Sequence, residues 1–172
     1  MDPEEMKRRG FTRETTIRRD ARGKWYQDGV ALAHDGLSRS FDAWIERAPD
    51  GRFCLDNAIN WAFVEIEGPP YSVRSASIAD DRVTLQLSGD GVEELDPTTL
   101  RLGEDDALWC DVRGGRVPAR FDNHAALALS EAFELEGDEA RLVLGASRFA
   151  IPRVADPMAG WTPAKGHVES RG

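Results

Sequence analysis

Two short stretches carry the imidazole and carboxylate neighbours of the body of this chain, His34-Asp35 and Asp122-Asn123-His124. Neutral imidazoles and carboxylate oxygens suit a divalent metal ion that activates water, so these four residues, His34, Asp35, Asp122 and His124, are the candidates for a metal-assisted hydrolase. Such a centre needs about three ligands converging, and adjacent residues in a chain usually point apart. The chemistry therefore depends on the fold bringing the two stretches to one cleft. A plainer role is open to Asp122 as the cap of a following helix. A further imidazole, His167, lies in the tail.

Other catalytic patterns are missing. There is no G-x-S-x-G elbow, no Ser-x-x-Lys arrangement, and no histidine close in sequence to Cys54 or Cys110. Gly89-Asp90-Gly91 lacks the third glycine of a dinucleotide fingerprint, and no G-K-S or G-K-T is present, so no cofactor is expected. The paired acids Glu93-Glu94, Glu104-Asp105-Asp106 and Glu134-Leu135-Glu136 fall in loops or at element ends and read as a solvated rim. Five tryptophans in 172 residues are a stronger signal for binding. Trp25, Tyr26 and Trp109 are either core or the anchors of a partner or ligand.

The charge limits the partners. Lys and Arg number 22 against 31 Asp and Glu, a formal net charge of −9. Residues 1–24 hold eight basic and five acidic side chains, whereas residues 25–155 hold twelve and twenty-four. An anionic body repels nucleic acid and anionic membranes, and the basic head, which includes Arg18, Arg19 and Arg22, is interrupted by acids and reads as solubilising. No stretch of 18 apolar residues suggests a membrane span, and the amino end lacks the apolar run of a signal peptide. Two cysteines inside strand-like runs fit buried free thiols, and a cytoplasmic location is expected.

The elements that must position these residues follow from periodicity. Lys24-Trp25-Tyr26-Gln27, Asp28-Gly29 and Val30-Ala31-Leu32 form a hairpin pattern with a favoured two-residue turn. A helix capped by Ser38 should carry Phe41, Trp44 and Ile45, and a strand should start at Arg52-Phe53-Cys54-Leu55. Extended chain follows through Val64 and Ile66, then from Tyr71 to Ile78, and Val83, Leu85 and Leu87 alternate with polar residues. Leu108, Cys110 and Val112 share a strand face opposite Trp109, and Gly114-Gly115 turns the chain back. A second helix is expected over 122–134 from the stripe Ala125, Leu129, Ala132 and Phe133, before short strands at 141–144 and 149–151.

The order of elements repeats. Trp25, a glycine turn, a helix and Leu55 have counterparts in Trp109, a glycine turn, a helix and Leu144, with the two tryptophans 84 residues apart. Repeated units of this kind need each other to bury their apolar faces. The expectation is an α+β fold of two repeated lobes, each an antiparallel hairpin or short sheet packed with one helix. The lobes are drawn at 17–90 and 91–154, after a mobile head at 1–16 with a short helix near Asp2-Pro3, and before a loose tail at 155–172.

Ile17-Arg18-Arg19-Asp20 followed by Gly23-Lys24-Trp25-Tyr26-Gln27-Asp28-Gly29 resembles the opening signature of the bacterial domain-of-unknown-function family numbered 1285. The resemblance continues through Arg52-Phe53-Cys54-Leu55, Val64-Glu65-Ile66-Glu67-Gly68-Pro69-Pro70-Tyr71 and Val112-Arg113-Gly114-Gly115, covering about residues 17 to 151. It implies a helix-and-sheet fold of repeated motifs in two lobes, a part in signal transduction, and no established reaction. Where the family pattern has Thr-Pro-Val-Glu-Lys this chain has Asn57-Ala58-Ile59-Asn60-Trp61, which makes Asn60 and Trp61 a point of departure and a further candidate contact. The expected function is a non-catalytic module that binds a protein partner or a small regulatory ligand between the lobes. The alternatives are the metal-assisted hydrolase and a structural subunit pairing through a sheet edge.

Overall fold

Strands and turns set by local chemistry account for most of the chain in a computed structural model, which describes residues 13–161. The helix expected near Asp2-Pro3, and His167, lie outside the described residues. Strand β1 (Arg18–Arg19) pairs with β2 (Trp25–Gln27), which turns into β3 (Val30–Ala31). Asp28 and Gly29 have φ of 51° and 76°, the left-handed pair that a two-residue hairpin loop requires. Helix α1 (Asp35–Trp44) leads into an antiparallel meander of β4 (Ile45–Arg47), β5 (Phe53–Asp56) and β6 (Trp61–Phe63). The chain then returns as β7 (Glu65–Ile66), parallel to β1.

A long hairpin of β8 (Tyr71–Ala79) and β9 (Arg82–Leu87), followed by β10 (Val92–Glu94), precedes the second unit. That unit consists of β11 (Arg101–Leu102), β12 (Leu108–Val112), β13 (Val117–Phe121), helix α2 (Asn123–Ser130), and a meander of β14 (Phe133–Glu136), β15 (Glu139–Leu144) and β16 (Ser147–Ile151). The six-stranded sheet runs β10-β9-β8-β13-β12-β11, with β8 parallel to β13. Strands β8 and β9, which a division at 90/91 would assign to the first lobe, thus hydrogen-bond with the second.

The two lobes repeat in their backbone bonds as well as their element order. Arg19 pairs with Trp25 as Leu102 pairs with Leu108. Asp20 N donates to Lys24 O at 2.9 Å as Gly103 N does to Ala107 O at 2.9 Å. The parallel return is also shared, Glu67 N to Arg19 O at 3.0 Å and Val154 N to Leu102 O at 2.8 Å. Trp25 therefore corresponds to Leu108 and Tyr26 to Trp109, one residue away from the match of the two tryptophans that the sequence suggests. Inward parity agrees: Trp25 and Leu108 both belong to the shared apolar cluster, which includes neither Tyr26 nor Trp109, and a slip of one would turn each strand over. The second meander follows the first, Ile45 facing Leu55 as Phe133 faces Leu142.

One apolar cluster joins the lobes, with Trp25, Phe41 and Ile45 from the first and Leu108, Leu129 and Leu142 from the second. Both helices end earlier than their apolar stripes suggest, and α1 also starts earlier, at Asp35. His34, not Ser38, caps α1, its Nδ1 accepting from Leu37 N at 3.0 Å, and Ile45 opens β4. Helix α2 ends at Ser130 and Phe133 is a strand residue, because the alternating run 133–136 pairs with β15 instead of continuing the helix.

Both ends of the described chain are tied down. Thr15 Oγ1 donates to Phe63 O at 2.6 Å and Phe63 N to Arg13 O at 2.8 Å, so residues 13–16 lie along β6. Trp161 stacks on Phe53 with ring centroids 5.6 Å apart, and Arg101 Nη2 donates to Pro157 O at 2.6 Å. Residues 155–161 are therefore docked, in place of the loose start expected for the tail.

Candidate functional site

The residues singled out in the sequence go to separate places. His34 and Asp35 stand at the start of α1, Asp122 and His124 at the start of α2, and all four are exposed. Among the described residues no three His, Cys, Asp or Glu side chains form a group that could hold a metal. Asp122 occupies the cap position of α2 without a side-chain capping bond. Trp25 is core: 1% exposed, edge-on to Phe41, with its Nε1 donating to Asp42 Oδ1 at 2.9 Å. Trp109 is also buried, and its Nε1 has no hydrogen-bond partner. Tyr26 is half-buried beneath Arg18, and Trp61 lies beneath Arg13, which also donates to Asn60 Oδ1 at 3.2 Å. Neither Trp25 nor Trp109 is available as an exposed anchor.

A cleft at the lobe junction takes its floor and one wall from Arg19 and Arg22, which the sequence places in a solubilising head. The turn after β1 is held by one carboxylate. Asp20 Oδ1 accepts from Arg22 N at 3.0 Å and Lys24 N at 2.9 Å, and Oδ2 accepts from the Tyr26 hydroxyl at 3.1 Å. These bonds hold the Asp20 carboxyl below the usual carboxylate range, the Lys24 amide contributing most, and the bond to Asp20 raises the Tyr26 phenol. Arg22 is thereby presented at the tip of the turn.

Arg19 forms the floor. It is 8% exposed, and its Nη1 donates to the carbonyls of Pro69 and Pro70, both at 3.1 Å. Its Nε lies 3.4 Å from Asp42 Oδ1, an ion pair without a hydrogen bond, since that oxygen takes the Trp25 indole. Burial pushes the guanidinium below the ordinary arginine range, with Asp42 and Asp20 opposing the shift and Arg74 adding to it.

The far wall comes from β8. Between Val73 and Ser75 the pairing with β9 shifts, leaving Arg74 as the extra residue of a bulge. Among the described residues the guanidinium groups of Arg22 and Arg74 make no hydrogen bond and no ion pair. The space, about 220 Å³, is lined by Arg19, Arg22, Asp42, Glu67, Ser72 and Arg74 among others. It adjoins a second of about 260 Å³ that shares Pro69 and Ser72 and reaches Arg120, Asp122 and Asn123 at the start of α2. A larger cleft of about 330 Å³ between hairpin tips has its arginine, Arg82, paired with Glu94 at 3.5 Å, so it offers no free charge of this kind.

The thiols are remote from this chemistry. Cys54 and Cys110 are free and buried, and burial raises both, Cys54 to about 12. No helix among the described residues is long and apolar enough to cross a membrane.

No family model matches the sequence, and no curated protein matches it. Two solved structures do. A DUF1285 family protein from Silicibacter pomeroyi DSS-3 superposes with a TM-score of 0.63 at 19% identity, over 80% of this chain and 80% of that one. A DUF1285 family protein from Shewanella baltica OS155 gives a TM-score of 0.56 at 15% identity, over 72% of this chain and 96% of that one. The likeness is one of architecture, and the chain has the fold of these two DUF1285 family proteins.

Proposed function

We propose that this protein is a non-catalytic binding module of the DUF1285 family that takes a small regulatory ligand in the cleft between its lobes. One observation carries the reading: the turn of the first lobe and the bulged strand of the second present Arg22 and Arg74 to the same space, and neither is paired among the described residues. Polar groups held on rigid elements around a concavity, and left without partners, are the usual marks of a ligand site. A small ligand is favoured over a protein partner because Trp25 and Trp109 are buried and the faces of Tyr26 and Trp61 are covered by Arg18 and Arg13. A role in bacterial signal transduction is the part of the proposal that the family resemblance suggests. A cytoplasmic location is supported by the two free, buried thiols.

The test is a backbone amide NMR titration with a mixed library of neutral and charged small fragments. Saturable shifts concentrated at Gly23, Ser72 and Asn123 are expected. Binding confined to other surfaces, or no binding, would remove the cleft from consideration.

A further inference from the structure

We infer that the ligand of this cleft is a small anion bearing a phosphate or carboxylate group, read by Arg74 and Arg22 above the buried Arg19. The inference rests on the binding-module reading above and adds the chemistry of what is bound. Three guanidinium groups face one space of about 220 Å³. Three carboxylates line the same space and none is free for Arg22 or Arg74: Asp20 accepts from the turn amides and Tyr26, Asp42 from Trp25 with Arg19 beside it, and Glu67 also has a partner, so among the described residues the guanidinium groups of Arg22 and Arg74 have no hydrogen-bond acceptor. Guanidinium donors left without an acceptor are met by an oxyanion placed between them, whose oxygens accept from both sides at once.

The choice of cation points the same way. From residue 25 to residue 164 the chain contains no lysine, so every basic side chain of the body is an arginine. A planar guanidinium meets two oxygens of a carboxylate or phosphate at once, which an ammonium does not. Arg74 reaches the cleft because it is the extra residue of a bulge, a placement that disrupts the sheet ladder locally. The net charge of −9 disfavours long polyanions, so the ligand is small. The adjoining space of about 260 Å³, ending at Ser72, Arg120 and Asn123, leaves room for an organic remainder.

The experiment is calorimetric titration of the full chain with inorganic phosphate, pyrophosphate and succinate, each at constant ionic strength against a chloride control. Saturable binding of at least one probe is expected, and the phosphate and dicarboxylate arms distinguish the two chemistries. Arg74→Gln and Arg22→Gln, both at exposed and unbonded side chains, should each weaken that binding by about tenfold with an unchanged melting temperature. Arg141→Gln, on the far meander beside Glu136, should leave it unaltered. Absence of saturable binding by all three probes, or binding indifferent to both cleft variants, overturns the inference. If neutral fragments still shift Gly23 and Ser72 in that case, the cleft remains a binding site and only the anion assignment falls.

Discussion

Arg113 Nη2, from the turn between β12 and β13, donates to the carbonyl of Ala43 at 2.7 Å in the last turn of α1. A cation of the second lobe thus closes the carbonyl end of the first lobe's helix, where partial negative charge accumulates. The Tyr71 hydroxyl reaches the same end, donating to Ile45 O at 2.9 Å and lying 3.2 Å from Ala43 O. Glu46, the next strand residue, takes a forked bond from Arg116, both distances 3.0 Å. The lobes are joined through a helix end, and this fixes the cleft on the other side of β8.

Removing these donors should loosen the junction. Tyr71→Phe leaves a buried carbonyl unsatisfied and is expected to cost about 1 to 3 kcal/mol in urea unfolding. Because Arg113 and Tyr71 share Ala43 O, the double variant Tyr71→Phe with Arg113→Ala should depart from additivity. Additive losses would mean that the two contacts are energetically separate.

The same helix end is approached by backbone. Gly89 has φ of 77°, and a Cβ there would lie 2.7 Å from Ala43 N and 2.9 Å from Ala43 Cα. Gly29 has nearly the same φ, 76°, with nothing within 4 Å. Gly29→Ala should cost about 1 kcal/mol for its backbone conformation alone. Gly89→Ala should cost clearly more, and equal losses would show that the helix and turn can move apart.

Local patterns were legible in the sequence and distant ones were not. The Asp28-Gly29 turn and the alternation of Val83, Leu85 and Leu87 depend on neighbours, and both lie where that logic places them. Repeated lobes were also readable from element order, though Tyr26 beside Trp25 allowed a one-residue misalignment that the backbone pairing resolves. Arg19 and Arg22 were hidden among charges near the amino end. What gives Arg19 its place is the pair of carbonyls at Pro69 and Pro70, some fifty residues on, and no local spacing announces that. Arg74 lies inside the extended run from Tyr71 to Ile78, and a bulge leaves no mark in such a run.

Trp25 distinguishes core from contact surface. Trp25→Ala removes a buried ring and its bond to Asp42, so a loss of about 3 to 5 kcal/mol is expected. Tyr26→Ala, at a half-buried ring, should cost about 1 kcal/mol. Comparable unfolding midpoints for the two variants would contradict the burial of Trp25.

Neither thiol should react in the native state. Cys54 is 3% exposed with its thiol pushed up to about 12 by burial, and Cys110 is fully buried. A thiol reagent at neutral pH should label neither until denaturant is added, then both. Fast labelling of Cys54 in the native protein would require β5 to open from its meander.

Part of the acid sensitivity should come from the cleft's turn. The Asp20 carboxyl is held below its ordinary value chiefly by the Lys24 amide, with Tyr26 and Arg22 assisting. A carboxyl depressed on folding stabilises the protein fully above its unfolded value of about 3.9, and that stabilisation is lost as pH falls through the folded value. Asp20→Asn cannot titrate, so its stability curve should be flatter than wild type in that acid window while lying lower at neutral pH. The same variant removes the acceptor that raises the Tyr26 phenol, and the tyrosine absorbance titration should shift to lower pH. An unmoved phenol would mean that the 3.1 Å contact does not persist in solution, and the presentation of Arg22 would then lose its support.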